Sequence, residues 1–164
     1  MTHTRAHPLF VVCATLAALA AIGYGLVSNM WFVEETNVGN FRVGLLSAEA
    51  CTATSGCLQV AASAFDSEEA TSIFSLLVVA IALLNGLLLA LASVMHLLHK
   101  SPARWLANAV MVVSLFGGAL AGGWMALSPW AYNMSPSLGA VSFFVGMAMA
   151  IATALVPLEA SRRR

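Results

Sequence analysis

Two pairs of side chains have types and spacings suited to chemistry. Cys51 and Cys57 stand with five residues between them, and Ser55-Gly56 in that interval lets the chain turn back. Joined, they would close a short loop and stabilise it by about 2 kcal/mol in the chain-entropy account of disulfides. Left as thiols, they would form a redox-active dithiol. That chemistry ordinarily uses C-x-x-C spacing, which lowers one thiol pKa, so a staple is the plainer expectation. His96 and His99 are three apart and would share a helical face. The spacing suits a metal, yet no Asp, Glu or Cys lies near them and Lys100 follows. A cationic helix end, favourable to the dipole and to anionic headgroups, is expected instead. His3 and His7 belong to the N-terminal tail, and Cys13, inside an apolar run, is expected to be a small buried packer. No phosphate-binding loop, hydrolase elbow or zinc motif occurs. The expectation is a non-enzymatic chain with no catalytic set, metal or cofactor.

The elements that carry these residues are set by hydropathy. Of 164 residues, 60% are hydrophobic and 9% charged, against about 25% charged in soluble domains. So few charges cannot cover a water-facing surface, and lipid must be the solvent for much of the chain. Zero net charge argues against nucleic-acid binding. Four runs reach the roughly 20 residues that span a hydrocarbon core: about 9–27, 73–98, 105–127 and 138–157. Each is expected to be helical, because a lone lipid-exposed strand would leave backbone groups unpaired. Pro8 suits a first turn, Ser101-Pro102 breaks the chain, and Ser135-Pro136 reads as N-cap and N1 of the fourth helix. Trp31, Trp105, Trp124, Trp130 and Tyr132 fall near the expected interfaces. The first run has signal-peptide features at Ala18-Leu19-Ala20, but its length favours a retained helix.

Charge is segregated. Arg5, Lys100, Arg104 and Arg162 to Arg164 lie in the two tails and the second connection, which four helices place on one side. By the positive-inside rule that side is cytoplasmic, with both termini there. Residues 28–70 form the long first loop, expected to be an extracytoplasmic subdomain. It holds Glu34, Glu35, Glu49, Asp66, Glu68 and Glu69 against Arg42 alone, a net charge of −5. Most helix–helix connections take about 2–8 residues, so this loop should carry structure. Trp31-Phe32-Val33 and Phe41-Arg42-Val43 are β-prone and flank a turn at residues 37–40; Cys57 to Val60 is a further candidate strand.

These loop residues carry a family resemblance. The layout resembles the claudin and peripheral myelin protein superfamily, whose first loop has a Trp, then Gly-Leu-Trp, two residues, a Cys and a second Cys. The matching positions are Trp31, Gly44-Leu45-Leu46, Cys51 and Cys57. Leu46 stands where the family has Trp, and four residues, Ser47 to Ala50, precede Cys51. The cysteines are closer than usual, and Glu68-Glu69 replace the basic residue expected near the second helix. The resemblance implies a left-handed four-helix membrane bundle bearing a small extracytoplasmic antiparallel sheet formed mainly by the first loop. It also implies adhesion, barrier formation (as at a cell junction) or an auxiliary-subunit role.

The helices look like a packed anchor. Gly118-x-x-x-Gly122 on the third, and Gly146, Ala150 and Ala154 on the fourth, form small-residue stripes suited to packing inside the bundle or to self-association. Asn85, mid-way along the second, is expected to hydrogen-bond between helices. The expected partners are the lipid bilayer and another protein or a second copy, met through the loop or the helix faces. Two alternatives stay open. A membrane thiol-disulfide oxidoreductase would ordinarily need two cysteine pairs, and a small transporter or channel subunit would ordinarily carry intramembrane acids or bases.

Overall fold

The apolar runs become four helices in the computed structural model, which describes residues 8–37, 39–52, 56–61, 69–98 and 104–162. They are α1 (Pro8–Val27), α2 (Glu69–Leu97), α3 (Arg104–Leu127) and α4 (Leu138–Arg162). All four are long and apolar enough to cross a membrane. Pro8 opens α1 as expected. α2 starts at Glu69 rather than Ile73. α4 runs through Pro157, where a stop was expected, to Arg162. Proline removes one backbone donor, and the helix-forming residues Leu158, Glu159 and Ala160 after it sustain the turn. His3, His7, Asp66, Glu68, His99, Lys100, Ser101-Pro102, Arg163 and Arg164 lie outside the described residues.

Each helix packs on two neighbours, α1 and α3 both lying against α2 and α4. The α1–α4 seam is the tightest. A Cβ placed on Gly146 would stand 2.7 Å from the Ile22 side chain and 2.9 Å from its backbone nitrogen. Ala18, Phe143 and Ala150 are fully buried along it. The first run is therefore built into the bundle core. Gly146 and Ala150 sit at a helix contact, as the small-residue stripe suggested.

Gly118 and Gly122 differ. A Cβ on either meets nothing within 4 Å, whereas Gly117 faces Ile81 and Met147. Both glycines of the Gly118–Gly122 stripe are part-buried yet make no close helix contact, since one residue of rotation along α3 separates them from the Gly117 seam. Cys13 is likewise exposed, not the buried packer expected.

The first loop folds as β1 (Phe32–Thr36), β2 (Gly39–Val43), β3 (Ser47–Thr52) and β4 (Gly56–Ala61). Two further residues, Ser135–Pro136, form β5, which follows a 3-10 turn at Pro129–Tyr132. The sheet order is β4-β3-β2-β1-β5, antiparallel throughout. β1, β2 and β4 match the β-prone segments. β3, Ser-Ala-Glu-Ala-Cys-Thr, has weak intrinsic preference and is a strand because both its edges are paired. Ser135-Pro136 does not cap α4 as expected, since Phe32 and Val33 pair with it. Ser137 stands before the helix instead, its carbonyl accepting from the Val141 amide at 3.1 Å.

Candidate functional site

The sheet is fixed to the helices through Trp31, whose side chain is wholly buried. Its indole N–H donates to the Gly25 carbonyl in the last turns of α1, at 2.5 Å. Its ring meets Trp124 of α3 edge-on at 5.4 Å and Phe143 of α4 at 5.2 Å. Such aromatic pairs contribute about 0.5–1.5 kcal/mol beyond area burial. Backbone bonds complete the joint: Trp31 N–H to Val43 O and Ser137 N–H to Trp31 O, both 2.9 Å. Trp31 and Trp124 lie near the helix ends, and both are buried as core residues. Trp105, at the start of α3, and Tyr132 are exposed, Tyr132 at 86%; the side chain of Trp130 lies outside the described residues.

The loop motif reaches the same joint. Gly44 has no room for a side chain, because a Cβ there would collide with the Ser28 carbonyl and the Asn29 Cα. Leu45 is buried and Leu46 is 47% exposed. The second leucine, at the position where tryptophan was looked for, thus turns outward where the β2–β3 turn meets the end of α1.

Strand alternation and register sort the sheet into two faces. Phe32, Phe41, Val43, Ala48, Ala50, Leu58 and Val60 share one; Val33, Glu35, Asn40, Arg42, Glu49, Cys51, Cys57 and Gln59 share the other. On the first face burial is complete at Phe32, Val43 and Ala48, which sit over the helix ends, and falls away toward Leu58, 66% exposed. On the second, Cys51 and Cys57 are directly opposed, their Cα atoms 3.9 Å apart, and joined. Gly56, with a φ of 78°, leads into β4 in a conformation glycine adopts readily.

Beside the disulfide, Glu49 Oε2 accepts from Asn29 Nδ2 at 2.9 Å and lies 3.7 Å from the Arg42 guanidinium. This cross-strand pair, both members partly exposed, is of the kind that contributes about 0.2–1 kcal/mol. Sequence reading found Arg42 as the lone cation of the loop but missed Asn29, which has no periodicity to mark it. The Glu49 carboxylate and both sulfurs lie within 4.8 Å of one another. Sulfurs joined to each other do not present the thiolates a soft metal needs. Glu34 and Glu35 stand exposed on β1, and Glu69 begins α2.

Within the helices, Asn85 is fully buried. Its amide donates to Ser114 Oγ at 2.9 Å and approaches Met147 Sδ at 3.2 Å, linking α2 to α3 and α4. This is the interhelical bond expected; Ser114, its partner, carried no distinguishing mark among the serines. Thr15 and Ser93 form a second link, α1 to α2, at 2.8 Å. His96 lies near the other end of α2, lining a small cavity between the helices.

The fold and this sheet define a chain of four potential membrane spans with a disulfide-stapled sheet at one end. No family model matches the chain, and no curated protein sequence matches it.

Proposed function

We propose that this chain is an integral membrane protein that acts without catalysis, its sheet displayed outside the cytoplasm to recognise another protein. Claudin-like adhesion, barrier formation or service as an auxiliary subunit is the class of role. The observation that carries the reading is the seating of a stapled, two-faced sheet on a buried tryptophan. Ordering about thirty loop residues this way costs conformational entropy that a mere connection would not spend. The positive-inside rule, applied to the cationic segments, supports a cytoplasmic position for both termini. The acidic outer surface then favours a basic partner, with an attraction that falls as salt rises.

Photo-crosslinking in intact cells tests it. A crosslinking residue at Glu35 or Gln59, on the polar face, is compared with one at Leu87, exposed on α2. The expected result is discrete protein adducts from the sheet positions that disappear in the Cys51→Ser/Cys57→Ser variant. Adducts to lipid alone from all three positions would remove the reading.

A further inference from the structure

At the end of the bundle opposite the sheet, the four helices line a half-open recess with about 20 Å³ of room for the centre of a water molecule. Val11, Leu89 and Val110 form much of its wall, and its polar lining is Thr15 of α1, His96 of α2 and Thr153 of α4. The hydrogen-bond inventory of these three groups is restrictive. Thr15 Oγ1 donates to the Val11 and Val12 carbonyls, at 3.0 and 2.8 Å, and accepts from Ser93 Oγ at 2.8 Å. Thr153 Oγ1 donates to the Ala150 carbonyl at 2.9 Å. A hydroxyl has one proton and two lone pairs. Both threonines have therefore committed their protons to backbone and present only lone pairs to the cavity. Neutral imidazole offers one N–H and one acceptor nitrogen.

We infer that this cavity is a binding site for a single water molecule that bridges three helices. Its two protons go to Thr15 Oγ1 and Thr153 Oγ1, and its oxygen accepts from the His96 ring N–H. Three bonds is the usual number for a buried water, and a space above about 10–15 Å³ accommodates one. A metal is disfavoured because, among the described residues, the wall supplies one imidazole and no carboxylate or thiolate, and a bare monovalent cation would bring an uncompensated charge into an apolar bundle. The bound water joins α4 to the Thr15–Ser93 link between α1 and α2. It clamps this end of the bundle as Trp31 clamps the other. The inference is independent of the recognition role proposed above.

Water-edited solid-state NMR on the full chain in lipid nanodiscs is the test. Magnetisation is expected to pass from water to Thr15 and Thr153, but not to the Asn85–Ser114 pair at mid-bundle. The Thr153→Val variant keeps the shape and removes an acceptor, and transfer to Thr15 should be lost; Thr153→Ser should retain it. Asn85 and Ser114 resonances report that each variant is folded. Absent transfer to Thr15 in the folded wild type would overturn the site. So would transfer unchanged by Thr153→Val, or Thr15 shifts that follow replacement of sodium by a bulky organic cation.

Discussion

The Trp31 indole N–H donates to the carbonyl of Gly25 across the joint between β1 and α1. One side chain thus satisfies a carbonyl near the helix C-terminus and fills the space between α3 and α4. Trp31→Ala should cost about 3–5 kcal/mol through the cavity it leaves. Trp31→Phe keeps most of the volume and loses the donor, for about 1–3 kcal/mol. Thermal unfolding of the purified protein in detergent measures both; equal losses would show that the hydrogen bond adds nothing.

The Cys51–Cys57 bond closes a hairpin already held by β3–β4 pairing. Cys51→Ser/Cys57→Ser should therefore keep the fold while losing about 2 kcal/mol, with less protein delivered to the cell surface. Denaturing thiol labelling checks the premise: without reductant only Cys13 of the three cysteines should react. Wild-type stability and delivery in the double variant would count against a stapled recognition surface.

Asn85 and Ser114 should be energetically coupled. Intramembrane hydrogen bonds measured by double-mutant cycles average about 0.6 kcal/mol and reach about 1.7. A cycle of Asn85→Ala, Ser114→Ala and the combined variant is expected to fall within that range. A coupling of zero, with both single variants folded, would mean that the pair meets in space without contributing to stability.

Two glycines on neighbouring helices should respond oppositely to alanine. Gly146→Ala presses a methyl into Ile22 at the α1–α4 seam and should cost about 1–3 kcal/mol as overpacking. Gly122→Ala enters open space and should stabilise α3 by about 0.5–1 kcal/mol, through backbone freedom removed from the unfolded chain. Their melting temperatures should move apart; a shared direction would mean that α3 uses its Gly118–Gly122 face in the folded protein.

Much of the fold was legible because its strongest signals are local. Apolar length alone marks the four helices, and charge alone separates the loop from the tails. Phe32-Val33 and Phe41-Arg42-Val43 declare strands by residue type, and Cys51 and Cys57 declare a bond by spacing. Tertiary structure decided what depends on partners distant in sequence. Ser47 to Thr52 is a strand because β2 and β4 flank it, and Ser135-Pro136 joins the sheet because Phe32 and Val33 offer an edge. Trp31 and Trp124 are core residues because they face each other across the joint, although either ring alone would suit an interface. Gly117 packs inward while Gly118 makes no close helix contact, a difference of one residue's rotation. Composition registers that a helix carries small residues; only the neighbouring helix determines which of them it touches.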